Sequence, residues 1–119
     1  MTALTVLVVE DEPLILMNTA DELMEAGYLV LEAPNAAAAI MAMTTHPEIS
    51  ILFTDIDMPG SMDGLQLAEA VRDGWPPVRI IVTSGHRHLV ASDMPADSRF
   101  FAKPYQTFDV RAAIREMMA

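Results

Sequence analysis

Five short runs of apolar, largely β-branched or aromatic residues recur along the chain, at residues 4–9, 28–31, 49–54, 78–83 and 99–102. Helix-compatible segments fill the gaps between them, so the order reads as five βα units. Each crossover must return the chain to begin the next strand in the same direction. The pattern therefore predicts an α/β fold with a parallel sheet covered by helices on both faces. Pro13 suits the first position of a helix and Gly27 its C′ position, with Leu16, Ala20 and Leu23 on a one-sided apolar face. A second helix is expected over residues 35–45, an alanine run with Ile40, Met41 and Met43 that stops before Pro47. A third is expected over 63–72, with Leu65, Ala68 and Val71 at helical spacing ahead of the breaker Gly74-Trp75-Pro76-Pro77. The C-terminal helix is expected to start from Thr107 as N-cap and to carry Val110, Ala113, Ile114 and Met117 on one stripe. Residues 86–97 make a poor helix. Val90, Ser92 and Asp93 have modest propensity and Pro95 interrupts, so a short, marginal helix is predicted there.

At 119 residues, 52% of them apolar, the chain is sized for one continuous core, and one domain is expected over residues 1–119. No repeat or linker-like stretch divides it. The absence of cysteine excludes disulfides and thiolate-ligated metals, which fits the cytoplasm. No apolar run approaches the roughly 18 residues needed to span a bilayer. The net charge of −10 and only seven Lys and Arg residues oppose contact with a polyanion, so neither membrane nor nucleic acid is an expected partner.

In an open parallel sheet, ligands bind outside the carboxyl ends of the strands. Strand one ends in Glu10-Asp11-Glu12, strand three in Asp55-Ile56-Asp57, strand four in Thr83-Ser84-Gly85 and strand five in Lys103-Pro104. Strand two ends in Glu32-Ala33-Pro34, one carboxylate without a partner, as befits an edge strand, and the pattern suggests the order 2-1-3-4-5. Singly, each group has an ordinary structural role. Acids before a helix stabilise its N-terminus, Asp55 suits a turn, Thr83 or Ser84 could cap locally, and a lone lysine is usually a solvated charge. Jointly, carboxylates, a hydroxyl and an ammonium on one sheet edge can surround one phosphoryl group.

Clustered carboxylates repel a phosphate-bearing donor unless a hard divalent cation stands among them, and Mg²⁺ suits a few carboxylates with water and phosphate oxygens. Asp55 is then the candidate nucleophile, able to attack phosphorus in line and form an acyl phosphate. Lys103 can clamp one phosphoryl oxygen and Thr83 can donate to another.

Val8-Val9-Glu10-Asp11-Glu12, Thr54-Asp55-Ile56-Asp57-Met58-Pro59 with Asp63-Gly64, Val82-Thr83-Ser84 and Lys103-Pro104 together resemble the receiver domain of two-component response regulators, over the whole chain. The resemblance is to the stand-alone type of the chemotaxis response regulator. It implies a three-layer (βα)5 flavodoxin-like receiver fold, whose strand order is likewise 2-1-3-4-5. It places the family's acid pair on Glu10 and Asp11, the phosphoacceptor on Asp55, the switch hydroxyl on Thr83 and the lysine on Lys103. Asp57 would offer its backbone carbonyl to the metal. The implied donor is a sensor histidine kinase or a histidine phosphotransfer protein. The implied downstream protein target docks on the face of the fourth helix, fifth strand and fifth helix, since no output region follows in these 119 residues.

Three positions depart from the family pattern. Gly60-Ser61 lengthens the segment from Asp55 to Gly64 by one residue, and Glu10 replaces the commoner aspartate with a longer arm. Phe100 stands where many receivers have tyrosine, so switching there must rely on packing. His86 and His88 form a His-x-His pair without an evident third ligand, the ten methionines are expected mainly to fill the core, and Trp75 is expected to anchor its proline-rich loop. The same residues admit two rival functions. One is a phosphatase of the haloacid-dehalogenase class using Asp55 and Asp57; the other is a receiver-like interaction module that is never phosphorylated.

Overall fold

In the computed structural model, which describes residues 3–60 and 62–119, the chain runs β1 (Thr5–Val9), α1 (Pro13–Glu25), β2 (Leu29–Ala33), α2 (Ala36–Thr45), β3 (Ile49–Asp55), α3 (Gly64–Gly74), β4 (Arg79–Ser84), β5 (Arg99–Ala102) and α4 (Thr107–Met118). All strand pairs are parallel and the sheet order is β2-β1-β3-β4-β5, as expected. β3 and β4 each run one residue further than the sequence pattern suggested, so Asp55 and Ser84 close regular strands instead of opening loops.

Side chains alternate between two cores, as the period of two along a strand requires. Leu7, Leu52, Ile80 and Val82 face α2 and α3, where Ala39, Met43, Leu67 and Val71 meet them. Val6, Val8, Ile51, Phe53 and Ile81 face the other way, onto Leu16 and Leu23 of α1 and Val110, Ile114 and Met117 of α4. β1 is buried at every position, whereas β2 and β5 are only partly covered, in keeping with their places at the edges.

The helix ends follow local chemistry. α1 closes with Gly27 at φ 103°, where Tyr28 N–H donates to the Leu23 carbonyl and Gly27 N–H to that of Met24. Asn35 caps α2 by accepting from Ala38 N–H at 2.8 Å. Asp63 and Gln66 form a reciprocal capping box that fixes the start of α3. Ser61, in the lengthened loop before it, lies outside the described residues.

Three expectations need correction. Thr107 is the first residue of α4 and not its cap; Gln106 holds the cap position, and the Thr107 hydroxyl is drawn instead to the Glu22 carboxylate of α1. The apolar residues of α1 are not confined to one side, since Leu14, Met17 and Met24 are exposed beside the buried stripe of Leu16, Ala20 and Leu23. Methionine filling is likewise divided: Met43, Met58 and Met117 are buried, while Met17, Met24 and Met41 face solvent.

The expected fourth helix is reduced to a single 3₁₀ turn, Ala91–Asp93. The Asp93 carboxylate accepts from Val90 N–H at 3.0 Å, a local bond that competes with helix propagation, and Pro95 comes at once after Met94. The face expected from two helices and β5 therefore consists of an irregular segment, residues 85–98, together with β5 and α4. Leu89 and Met94 tuck that segment against the α2/α3 core, and Arg72 of α3 donates to the Ala96 carbonyl at 2.8 Å. Trp75 packs on the same core, as its loop required.

Candidate functional site

The carboxyl ends of the three central strands supply the site. Pairing sets Val9 beside Thr54 and Asp55 beside Thr83, so the acids that follow β1 and the hydroxyl of β4 flank the last residue of β3. Ile56 N–H donates to the Thr83 carbonyl at 2.8 Å, extending the ladder past Asp55. Gly64 holds the other side. A Cβ at Gly64 would lie 2.0 Å from the Asp55 carbonyl oxygen and 2.6 Å from Ile56 Cα, so the first turn of α3 can press on the acceptor backbone only because no side chain intervenes.

Glu10, Asp11 and Asp55 each offer a carboxylate oxygen, all within 4.8 Å of one another. Glu10 and Asp55 are buried, at 5% and 4% exposure, whereas Asp11 is open to solvent. Lys103 reaches in from the end of β5, with its Nζ 2.9 Å from Glu10 Oε1 and 3.3 Å from Asp55 Oδ1. A buried carboxylate demands such a partner. The second contact is an ion contact without hydrogen-bond alignment, and Asp55 Oδ1 remains a buried oxygen with no hydrogen-bond partner. Glu10 is further held by Glu12 N–H, which donates to Oε2 at 3.2 Å.

Burial pushes the Asp55 carboxyl above the ordinary aspartate range, and the Lys103 ammonium only partly offsets it. Asp11, though largely exposed, is also raised, first by partial loss of hydration beside the cluster and then by the adjacent Glu10 carboxylate. For Lys103, burial favours the neutral amine, but Glu10 and Asp55 outweigh it and the net shift is upward. Three carboxylates share the single Lys103 ammonium, so the cluster carries more negative than positive charge. An all-oxygen donor set around a buried carboxylate oxygen that lacks a hydrogen-bond partner fits a hard divalent cation of the Mg²⁺ type.

Glu10, Asp11, Asp55, Thr83 and Lys103 thus converge on one strand edge. Asp57 is close by, but its side chain is engaged elsewhere, accepting from Ser84 Oγ at 2.6 Å and facing Arg87 Nε at 3.6 Å. Phe100 is half-buried on the α2/α3 core, with its ring meeting that of His88 edge to face at a centroid distance of 6.0 Å. Register places Val82 beside Phe100 and Thr83 beside Phe101, so Phe100 sits one residue off the Thr83 row. Among the described residues, the His86/His88 pair joins no cluster of three metal-ligating side chains.

Ser84 takes the local capping role open to it, and it and Arg87 also carry contacts between loops that sequence reasoning missed. Ser84 Oγ accepts from both His86 N–H and Arg87 N–H, and the Arg87 guanidinium lies 3.6 Å from both the Asp57 and the Asp63 carboxylates. A serine ending an apolar strand and an arginine between two histidines gave little signal, because their partners lie in a different loop.

Residues 6–115 match the profile of the response regulator receiver domain family. The receiver protein CpdR of Brucella abortus (strain 2308) is 31% identical over 116 residues, covering 95% of both chains. The sensor kinase CckA of the same organism is 33% identical over 118 residues, which are 96% of this chain and 12% of the kinase's length. The response regulator TrrA of Thermotoga maritima, solved in complex with Mg²⁺-BeF, superposes with a TM-score of 0.82 at 26% identity, covering 95% of this chain and 97% of that one.

Proposed function

The chain belongs to the response regulator receiver family and is a phosphoacceptor switch of the two-component type; from that premise we propose that Asp55 is the phosphoacceptor and that Glu10, Asp11, Asp55 and the Asp57 backbone carbonyl hold Mg²⁺. The observation that carries the assignment is the buried Asp55 carboxylate among three converging carboxylates, its Oδ1 without a hydrogen-bond partner and held only by an ion contact to Lys103 Nζ at 3.3 Å.

In this reading an Asp55 carboxylate oxygen attacks phosphorus in line. The new O–P bond gives an acyl phosphate, while the bond to the donor breaks and its electron pair leaves with the donor. Bound Mg²⁺ would neutralise charge on the equatorial oxygens. Lys103, released from sharing Glu10 and Asp55, would turn to one phosphoryl oxygen, and the Thr83 hydroxyl would donate to another. TrrA, a family member solved with Mg²⁺-BeF, supports the cation and the phosphoryl geometry by analogy.

Chemistry of this kind is confined to the protein's own phosphorylation and dephosphorylation. The family assignment disfavours the phosphatase alternative, and the complete acid, hydroxyl and lysine set disfavours an unphosphorylated module. Receiver domains interact with histidine kinases, and the donor proposed here is a histidine kinase or a histidine phosphotransfer protein. The proposed output surface for a downstream protein is the face made by residues 85–98, β5 and α4, with Thr83 and Phe100 as switch residues and residues 1–119 as one receiver domain. No helix among the described residues is long and apolar enough to cross a membrane, and the strongly acidic, cysteine-free chain is assigned to the cytoplasm without a nucleic-acid partner.

A small-molecule phosphodonor with Mg²⁺ should add one phosphoryl group, seen by intact mass, and Asp55→Asn should abolish it. Asp11→Ala should weaken Mg²⁺ affinity, whereas Lys103→Ala should spare it and impair phosphorylation. Labelling of Asp55→Asn at the parental rate, or indifference to chelation, would overturn the assignment.

A further inference from the structure

Between the exits of β3 and β4 lies a second charged cluster that the phosphoryl-transfer reading leaves unused. The Arg87 guanidinium stands between two carboxylates, Nε 3.6 Å from Asp57 and a terminal nitrogen 3.6 Å from Asp63. Asp63 also caps α3, so Arg87 links the segment after β4 to the start of that helix. Beneath it, Ser84 Oγ donates to Asp57 at 2.6 Å and accepts from His86 N–H at 3.1 Å and Arg87 N–H at 2.9 Å. The Ser84 carbonyl accepts from Lys103 N–H at 2.9 Å, so this one residue connects Asp57, Arg87 and the strand end that carries Lys103.

We infer that Arg87 is a positioning residue for phosphoryl transfer: through Asp57 and Ser84 it latches the exit of β4 to the exit of β3 and holds Thr83 in its resting place. The inference rests on Asp55 being the acceptor. Its physical basis is the contrast between the several bonds that hold Ser84 and the sparse support of the chain beyond it. Past Arg87 the segment forms only one 3₁₀ turn, and its side chains from His86 to His88 are exposed. No helix stiffens the exit of β4, so the Ser84–Asp57–Arg87 contacts are what extend its support beyond the backbone bonds from Ile56 and Lys103. Thr83 is bonded directly to Ser84 and lies beside Asp55, at 1% exposure. A backbone shift that carries the Thr83 hydroxyl toward a phosphoryl group on Asp55 draws Ser84 with it, and the latch opposes that shift. Opening it lowers the free-energy difference between the resting and phosphoryl-bound arrangements, which shifts the population before any phosphoryl group arrives.

The ion pairs are half-exposed, with the Arg87 side chain 45% accessible, so each is worth little to global stability. Arg87→Ala is therefore expected to keep the parental thermal midpoint while changing the reaction. Backbone amide shifts are measured for the parent, Arg87→Ala and Arg87→Lys, each alone and with Mg²⁺ and beryllofluoride, alongside phosphorylation rates from acetyl phosphate. In Arg87→Ala the resting shifts of Thr83, Ser84 and Phe100 should move toward their beryllofluoride positions. Its phosphorylation should quicken about two- to fivefold, the range an exposed ion pair commands. Arg87→Lys, which keeps the charge, should fall between the two. In an Asp57→Ala background, which removes the acceptor of both Ser84 Oγ and Arg87, Arg87→Ala should add little, because the latch is already open. Resting shifts of Arg87→Ala that coincide with the parent's beyond residues 86–88, or a rate equal to or below the parent's, would overturn the latch while leaving the Asp55 assignment intact. A parent protein with no response to Mg²⁺ and beryllofluoride would overturn both.

Discussion

The exits of β3 and β4 are neighbours in the sheet, yet they are built on opposite plans. After β3 the chain is held at close quarters. Gly64 touches the Asp55 backbone, Gly64 N–H donates to the Ile56 carbonyl at 3.1 Å, and a capping box starts an eleven-residue helix whose Leu67, Ala68 and Val71 are fully buried. After β4 the chain crosses fourteen residues, 85–98, with one 3₁₀ turn, two apolar anchors and a few side-chain ties. The difference separates two requirements of a switch. The nucleophile needs a fixed position, because effective in-line attack tolerates little misplacement. The response needs an element with few buried contacts, because only such an element can exchange arrangements at low cost.

The contrast breaks most sharply at Gly64. Gly64→Ala would drive a Cβ to 2.0 Å from the Asp55 carbonyl oxygen, against backbone that cannot rotate away. We expect a loss of about 4 kcal/mol or more in chemical denaturation, together with a large fall in phosphorylation rate, since the acceptor backbone must shift. Gly74→Ala, where a Cβ meets nothing within 4 Å, is the matched control and should change neither quantity appreciably.

Deleting one apolar anchor on each side sharpens the comparison. Leu67 of α3 has no exposed surface, and Leu67→Ala should cost about 3 kcal/mol through the cavity it leaves. Leu89 packs only partly against the same core from the β4–β5 segment, so Leu89→Ala should cost about 1 kcal/mol. Its larger effect should be on hydrogen exchange within residues 86–97, with exchange elsewhere unchanged. Equal losses of stability would mean that the segment is as firmly built as α3.

The same contrast decides what was legible in the sequence. The parallel sheet, the two-sided core and the strand-end residues Glu10, Asp11, Asp55, Thr83 and Lys103 followed from local periodicity and from the rule that strand ends carry the site, while the strand order rested also on the resemblance to the receiver family. Those features repeat a pattern every few residues, so neighbouring positions reinforce one another. Weak propensity and Pro95 likewise foretold a poor element between β4 and β5. The collapse to one 3₁₀ turn was harder to foresee, because it depends on Asp93 bonding back to Val90 and on Arg72 reaching Ala96 from another helix. The Arg87 pairing with Asp57 and Asp63 was invisible for the same reason: its geometry exists only once two loops are brought together. Thr107 was misassigned as a cap because its hydroxyl has a tertiary partner, Glu22, that no local rule includes.

The smallest expected effect tests whether the rigid side is itself strained by its chemistry. Asp55 is held above the ordinary aspartate range chiefly by burial, and its Oδ1 lacks a hydrogen-bond partner. A carboxyl whose folded pKa is raised binds its proton more tightly in the folded than in the unfolded chain. Its contribution to stability is therefore greatest below the ordinary aspartate pKa of about 3.9 and declines as pH rises toward the folded value, leaving a net cost at neutral pH. Asp55→Asn removes the ionisation and keeps the shape. In metal-free protein at pH 7 the variant should therefore be more stable than the parent, because it carries no buried charge at this position. The gap should close as pH falls into the acid range, because the parental carboxyl then takes up its proton. Mg²⁺ should narrow the gap from the other direction, stabilising the parent by binding the folded state and the variant less, since one of its carboxylates is gone. Urea denaturation of both proteins from pH 4 to 7, with and without Mg²⁺, separates the two effects. A variant less stable than the parent at pH 7 without metal would mean that the Lys103 contact outweighs burial and that the acceptor is well accommodated at rest.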